Sequence, residues 1–282
     1  MKLCSVFAGG RACVGVLSDA GIVDVTALGF PSSMNDVIEG GAEVLSRISD
    51  ALSKGGHAAF AEGDVSFLPV CVPQKIICEG LNYQDHAEES GGEVPKHPIF
   101  FSKFDDALSA HLEPVALPPW LERFDYEAEL VIVIGKHLYN VSPEEAGRGI
   151  FGYTCGNDLS ARDGQFLSSQ WLAGKALPGF GPVGPYVVTS DCFDPYAGNG
   201  IFCEVNGVRV QSALTSDMIF PCFEAVSIAS RFFPLSPGDL VFTGTPGGVI
   251  QGRPSDARIW LKPGDVVTVS IDGIWSLVTP LV

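Results

Sequence analysis

The 282-residue sequence has few basic residues, no closely spaced cysteine pair and no long apolar run. Its 17 Lys and Arg residues stand against 33 Asp and Glu, so the formal charge of −16 repels nucleic-acid phosphates and anionic lipids. Apolar runs such as Leu130 to Ile134 are far too short to cross a bilayer, and the first residues lack a secretory signal pattern. We therefore expect a cytoplasmic protein without nucleic-acid or membrane partners.

The eight cysteines contain no Cys-x-x-Cys pair, and most of them lie in apolar stretches, as Cys203 does. We interpret them as reduced core residues, because free cysteine packs as a small hydrophobe. Hydrophobic residues make up 46% of the chain and charged residues 18%, which is enough to bury a large core. Disorder is therefore not expected.

The N-terminal stretch predicts a small domain of its own. From Lys2 to Leu28, short β-like runs alternate with glycine-rich turns, a pattern typical of hairpins. A helical pair is expected between Ser33 and Leu52. Pro69 and Pro73 then punctuate the entry into a new apolar run. We place a boundary near residue 70, which separates an N-terminal domain (1–70) from a main domain (71–282).

The main domain is predicted to be rich in β-strands. The β-like segments are Ile99 to Ser102, Glu127 to Ile134, Gly152 to Gly156, Tyr186 to Thr189, Gly200 to Val205, Leu240 to Thr243 and Val266 to Ile271. Helical patterns interrupt them at Ser142 to Arg148, where Ser142 is a candidate cap, and at Phe223 to Phe232, between two prolines. No repeat or heptad pattern occurs, so we expect a compact, enzyme-like body with few helices.

Two carboxylates in one predicted strand indicate a metal site. Glu127 and Glu129 share a face by the period of two, and the apolar run that follows them predicts a strand buried on both faces. Asp158, at the end of a second β-like run, is a natural third ligand. Three oxygen ligands without His or Cys favour Mg²⁺ or Mn²⁺. In the alternative interpretation, the two glutamates face solvent or pair with Arg123 and Lys136.

A histidine and a glutamate three residues apart suggest a general base. On a short helix His86 and Glu89 share one face, so Glu89 could orient the imidazole. An imidazole held in this way takes a proton from water near neutral pH. The following segment, 90–95, contains a Gly-Gly pair that suggests a hinged lid. The alternative is a surface histidine on a mobile helix.

Other polar residues are candidate substrate ligands. Lys103 and Lys175 sit beside apolar sequence and could pair with a carboxylate or an enolate, although ordinary snorkelling lysines have the same pattern. The turn Thr243 to Gly248 offers hydroxyl and backbone donors. Arg162 either binds substrate or braces Asp158. Gln165, three residues on, is a weaker candidate.

Five separated segments together resemble the fumarylacetoacetate hydrolase family. They are Lys75 to His86, Asp125 to Glu129, Gly156 to Asp163, Thr215 to Phe220 and Pro237 to Val249. The resemblance covers essentially the whole chain after residue 70, and the opening looks like the small N-terminal domain of longer bacterial members. It implies an α+β fold with a rolled, mixed β-sheet body and few helices, and a homodimer.

The same resemblance implies roles for particular residues. Glu127, Glu129 and Asp158 become the metal ligands, Thr245 lies against the substrate carboxylate, and Tyr83 belongs to the substrate site. His86, Glu89 and Lys175 become the catalytic residues. Two departures from the family pattern occur: Glu79 takes a usually apolar position, and the segment 174–180 around Lys175 has an altered sequence.

These residues favour hydrolysis of a C–C bond in a 2,4-dioxo acid of the acylpyruvate type. A metal that chelates the 2-oxo acid places positive charge where an enolate develops, and the His86–Glu89 pair activates water. One alternative is decarboxylation of an oxaloacetate-like acid, or isomerisation or hydration of an unsaturated 2-oxo diacid. Another is a relative that has lost catalysis and only binds ligands, which the altered segment around Lys175 encourages.

Overall fold

The computed structural model describes residues 1–89, 91 and 94–282. Ser90, Gly92 and Glu93, the centre of the predicted lid, lie outside the described residues. The strands are β1 (Lys2–Ala8), β2 (Arg11–Ser18), β3 (Gly21–Asp24), β4 (Ala59–Phe60), β5 (Ser66–Phe67), β6 (Ile76–Gly80), β7 (Ile99–Lys103), β8 (Leu108–Ser109), β9 (Phe124–Asp125), β10 (Ala128–Ile134), β11 (Ile150–Asn157), β12 (Ser160–Ala161), β13 (Gly181–Thr189), β14 (Gly200–Val205), β15 (Val208–Leu214), β16 (Leu240–Phe242), β17 (Val266–Ile271) and β18 (Ser276–Pro280). The α-helices are α1 (Met34–Leu52), α2 (Gln84–Glu89), α3 (Pro143–Arg148), α4 (Arg162–Gln165), α5 (Leu172–Lys175) and α6 (Cys222–Phe232).

A twelve-stranded mixed sheet forms the centre of the fold, in the order β4-β3-β2-β1-β13-β11-β10-β16-β6-β7, with β5 and β8 pairing at its side. It is mixed because β6 runs parallel to β16 and β8 parallel to β13, whereas its other pairs are antiparallel. A four-stranded sheet, β15-β14-β17-β18, shares one hydrophobic core with it. The predicted α+β class with few helices is confirmed.

Strand β10 shows why its sequence is a continuous apolar run. Its even-numbered side chains, from Leu130 to Ile134, join the core shared with the four-stranded sheet. Val131 and Val133 point to the opposite face and join a second core beneath α1. The strand is therefore buried on both faces, as the sequence predicts.

The N-terminal stretch is continuous with the main sheet. Strand β1 pairs with β13, where Lys2 lies opposite Val188, so the sheet crosses the predicted boundary near residue 70 without a break. The predicted helical pair is confirmed as α1, whose helical geometry is interrupted at Gly41 by a φ of 55°. None of the helices within the described ranges is long and apolar enough to cross a lipid bilayer.

Candidate active site

The three predicted metal ligands meet where β10 begins and β11 ends. Ala128 pairs with Asn157 across these strands, and the Asp158 amide donates to the Glu127 carbonyl over 2.9 Å. One carboxylate oxygen from each of Glu127, Glu129 and Asp158 lies within 4.8 Å of the others. At most 5% of each residue is exposed, so water does little to solvate these charges.

Buried cations compensate two of the three carboxylates. Lys175 Nζ lies 2.6 Å from Glu127 Oε2 and 2.7 Å from Asp158 Oδ2. Burial alone would raise the pKa of Glu127, but Lys175 and Arg162 hold it well below its usual range. Burial alone would lower the pKa of Lys175, but Asp158 and Glu127 raise it above its ordinary value. We conclude that Lys175 and Glu127 are both charged.

Glu129 differs from its two neighbours. Among the described residues it has no Lys or Arg partner, and its Oε2 accepts a hydrogen bond from the Gly244 amide over 2.8 Å. Burial, followed by the charges of Asp158 and Glu127, raises the pKa of Glu129 well above its usual range. A cation beside Glu129 would relieve this unfavourable charge.

The charges of the whole cluster leave room for one more cation. Its carboxylates are those of Asp125, Glu127, Glu129 and Asp158, and its cations are those of Lys103, Arg162 and Lys175. The excess of one carboxylate and the all-oxygen set of ligands suit a hard divalent ion. Glu127, Glu129 and Asp158 could therefore hold a divalent metal.

Arg162 braces Glu127, not Asp158. Its Nη2 lies 2.7 Å from Glu127 Oε1, its Nε donates to Asp125 Oδ2 over 2.9 Å, and its Nη1 donates to Gln165 Oε1 over 2.8 Å. Asp125, which the sequence analysis missed, also accepts the backbone amides of residues 250 and 251 over 2.8 and 2.9 Å. In the sequence, only its place in the family-like segment Asp125 to Glu129 indicated that Asp125 belongs to the site.

Two predicted substrate ligands, Lys103 and Tyr83, are buried in the protein. The Lys103 ammonium is buried 2.6 Å from Asp158 Oδ1, without the alignment of a hydrogen bond, and it donates to the carbonyls of Lys175 and Phe180. Tyr83 is fully buried, and its hydroxyl has no partner among the described residues. Neither residue is among the described residues that line the cavity of about 300 Å³ beside the carboxylates. Their predicted substrate contacts stay predictions.

A cavity of about 300 Å³ opens beside the carboxylates. The predicted site residues that line it are His86, Glu89, Glu127, Arg162, Gln165, Lys175 and Thr245. An aromatic wall that no sequence pattern indicated also lines the cavity, and in it Phe101 meets Trp171 edge to face at 5.4 Å between ring centroids. Lys175 Nζ lies 5.1 Å from the Phe101 ring, so this wall also contacts a buried cation.

The predicted pairing of His86 with Glu89 is present. His86 Nδ1 lies 2.8 Å from Glu89 Oε1, and the Gly248 amide donates to Glu89 Oε2 over 2.9 Å. Both side chains line the cavity, and Nε2 of His86 has no protein partner among the described residues. Glu89 therefore holds the imidazole and leaves its second nitrogen available for chemistry.

Thr245 is held by a residue that the sequence analysis did not identify. Gln211 Nε2 donates to Thr245 Oγ1 over 2.9 Å and to the Pro246 carbonyl over 2.7 Å. Gln211 Oε1 accepts the Ala128 amide over 3.0 Å, at the start of β10. Gln211 thus ties the turn of Thr245 to the metal-ligand strand.

The altered segment 174–180 still places its lysine in the site. A Cβ at Gly174 would collide with the backbone of Gln165 and the Ala161 carbonyl, so α5 approaches α4 more closely than any other residue would permit. Phe180 is buried against Phe124, with 6.0 Å between ring centroids. Among the changed residues, Phe180 therefore packs in the core against Phe124.

Glu79 is a buried acid without compensation. Only 1% of this β6 residue is exposed, and neither carboxyl oxygen has a partner among the described residues. Burial raises the pKa of Glu79 well above the ordinary value of 4.5. Because the pKa of Glu79 is higher in the folded state than in the unfolded state, the free energy of unfolding is highest below the unfolded-state pKa. It falls as the pH rises from the unfolded-state pKa to the folded-state pKa.

Replacing Glu79 with Leu should therefore raise the stability of the protein, and more so at pH 8 than at pH 5. The expected gain at pH 8 is about 1–3 kcal/mol, or roughly 2 to 10 °C in Tm, because the variant buries no unsatisfied carboxyl group. Thermal unfolding of both proteins from pH 5 to pH 8 measures it. Glu43→Leu, at an exposed position of α1, should leave the pH slope unchanged. A Tm difference that is constant from pH 5 to pH 8 would show that the pKa of Glu79 is not raised in the folded state.

Comparison with known proteins finds the same architecture elsewhere. Residues 75–282 match a family model described as fumarylacetoacetate (FAA) hydrolase C-terminal. The chain is 39% identical over 272 residues to the mitochondrial oxaloacetate tautomerase fahd2 of Xenopus laevis, covering 94% of this chain and 84% of that protein.

Solved structures extend the similarity to the full chain. Fumarylacetoacetate hydrolase from Exiguobacterium antarcticum superposes with a TM-score of 0.87 at 33% identity, covering 100% of this chain and 99% of that one. Maleylpyruvate hydrolase from Sphingobium sp. SYK-6, in complex with manganese(II) and pyruvate, superposes with a TM-score of 0.81 at 28% identity, with the same coverage. The N-terminal stretch is thus part of the shared architecture.

Proposed function

The chain belongs to the fumarylacetoacetate hydrolase family, and we propose that it is a divalent-metal-dependent tautomerase of a small 2-oxo acid, with an oxaloacetate-like acid as substrate. The observation that carries this proposal is the His86–Glu89 pair, which lines the same cavity as the buried carboxylate Glu127. Proton transfer at the carbon next to a keto group requires a base. It also requires a neighbouring group that stabilises the negative charge on the keto oxygen.

The metal belongs to the same proposal. Glu127, Glu129 and Asp158 are the proposed ligands, and Mg²⁺ and Mn²⁺ are the proposed ions because both accept carboxylate oxygens. When bound, such an ion supplies a Lewis acid that polarises the keto oxygen of the substrate. The related maleylpyruvate hydrolase with manganese supports this choice.

The residues of the chain divide the proton transfer between them. His86 takes a proton from C3 of the 2-oxo acid at Nε2, while Glu89 holds Nδ1 and stabilises the imidazolium that forms. The electron pair of the C–H bond then forms a double bond between C2 and C3, and the π pair of the keto group moves onto its oxygen. The imidazolium returns its proton to that oxygen to give the enol, and the same steps in reverse return the keto form. Thr245 offers its hydroxyl to the substrate carboxylate.

Sequence similarity favours this reaction over the others. A relative that is 39% identical over nearly the whole chain is named an oxaloacetate tautomerase. The tautomerisation also needs only a base and an electrophilic centre, and the cavity is lined by the candidate base His86 and by Glu127, one of the proposed metal ligands. The aromatic wall of Phe101 and Trp171 gives the cavity an apolar side.

Hydrolysis of a C–C bond in a 2,4-dioxo acid is the second candidate. The same His86–Glu89 pair could remove a proton from water, so that the hydroxide attacks a distal carbonyl and a pyruvate-type enolate leaves. The similarity to a maleylpyruvate hydrolase with pyruvate favours it specifically. Decarboxylation of an oxaloacetate-like acid would use the same metal site, and the assay described below also tests it.

The homodimer and the cytoplasmic location stay predictions of the sequence.

Metal-stripped protein should be assayed on oxaloacetate, acetylpyruvate and fumarylpyruvate, with and without Mg²⁺ or Mn²⁺. We expect metal-dependent decay of the oxaloacetate enol signal and exchange of C3 hydrogen for deuterium, with no change in mass other than that of deuterium. Pyruvate plus a second acid from the acylpyruvates would establish the hydrolase instead. Release of CO₂ from oxaloacetate would establish a decarboxylase, and the absence of any turnover would overturn the proposal.

A further inference from the structure

We propose that Arg258 binds a second carboxylate of the substrate, so that the enzyme prefers dicarboxylic 2-oxo acids over monocarboxylic ones. This inference deepens the proposed function and rests on it. Arg258 is half-buried and lines the same cavity as His86 and Lys175. The family segments quoted above end before it, at Val249.

The cations of the cavity differ in what they contact. Lys175 and Arg162 are each shared between two carboxylates of the cluster. Arg258 has no carboxylate within ion-pair distance among the described residues, and its Nε donates to the Arg253 carbonyl over 2.8 Å. The terminal nitrogens of its guanidinium group can therefore receive an anion from the cavity.

The loop that carries Arg258 is attached to the residues that precede the metal-ligand strand β10. The amides of Ile250 and Gln251 donate to Asp125, which also pairs with Arg162. Further along, Arg253 Nη2 donates to the Tyr126 hydroxyl over 2.6 Å. Because both contacts join the loop to residues next to Glu127, Arg258 is held in a fixed position relative to the catalytic cluster.

Charge balance explains why a second carboxylate needs a cation of its own. With a divalent ion, the cluster changes from one excess negative charge to one excess positive charge. That charge matches the single carboxylate of the 2-oxo acid group. A second carboxylate brought into this half-buried cavity requires another partner, and an arginine fork suits a carboxylate well.

The test uses two matched pairs of ligands on the Mn²⁺-loaded protein. Oxaloacetate is compared with 2-oxobutanoate, and 2-oxoglutarate with 2-oxopentanoate, so that each pair has one chain length and differs by one carboxylate. Calorimetry gives the Kd values. We expect the wild-type protein to prefer the diacid of at least one pair by about 10- to 100-fold, and Arg258→Gln to lose most of that preference.

Arg231→Gln, which removes the same charge at an exposed position of α6, should retain the preference. The inference is overturned if the wild-type protein shows no preference for either diacid, or if Arg258→Gln weakens both members of a pair equally. The Kd values do not require that any of these acids be converted. If the diacid preference depends on Arg258, this inference therefore stands even when no 2-oxo acid is converted. If the enzyme turns over a 2-oxo acid but Arg258→Gln keeps the preference, only this inference is rejected.

Discussion

Replacing His86 with Gln is expected to lower kcat by about 10²- to 10⁴-fold while changing KM little. Glutamine fills much of the imidazole volume and can still hydrogen-bond to Glu89, but it cannot take a proton near neutral pH. The loss should therefore fall on the chemical step and not on substrate binding. Steady-state kinetics of the metal-loaded enzyme on oxaloacetate measures both constants.

A matched control and a pH profile separate catalysis from structure. His137→Gln changes an exposed histidine and should leave both constants unchanged. If a side chain of this site acts as the base, the pH profile of the wild-type enzyme has an acid limb, and the residual activity of His86→Gln should lack that limb. Unchanged turnover by His86→Gln at saturating substrate would eliminate His86 as the base.

Local patterns in the sequence predicted the parts of the site that depend on one element. The continuous apolar run after Glu129 predicted a central strand, and β10 divides its side chains between two cores. The spacing of three residues predicted that His86 and Glu89 meet, and they do at 2.8 Å. Helical and strand periods fix such contacts, because they depend only on the geometry of a single element.

Contacts between distant segments could not be predicted in this way. Lys103 contacts Asp158, 55 positions further along the chain, and no local pattern around Lys103 indicates this contact. The pairing of β1 with β13, which extends the sheet across residue 70, likewise depends on a register that no local period encodes. Gln211 joins β15 to β10 and gave no signal at all, since a single glutamine in a polar strand is unremarkable in sequence.

The second large effect is expected at the metal ligands, because Glu127 and Glu129 lie two residues apart and have opposite electrostatic surroundings. Glu127 pairs with Lys175 and Arg162, whereas Glu129 has no cationic partner among the described residues. Without metal, the pairs of Glu127 therefore stabilise the fold, while Glu129 is an uncompensated buried carboxyl group. Substitution of each by Gln, which keeps the shape, should distinguish ligand loss from structural damage.

Glu129→Gln is expected to lower the metal-dependent activity by about 10³-fold or more and the metal affinity by at least about 10²-fold, while the metal-free protein keeps or gains stability. The Gly244 amide can still donate to the new side-chain carbonyl, so the local structure is retained. Glu127→Gln should instead destabilise the metal-free protein by about 1–3 kcal/mol, because Lys175 and Arg162 each lose one of their two carboxylate partners. Thermal unfolding with and without Mn²⁺ measures both effects, and the exposed Glu122→Gln serves as the control for charge. If Glu129→Gln shows the wild-type rise in Tm on adding Mn²⁺, then Glu129 does not bind the metal and the site must be built from other oxygens.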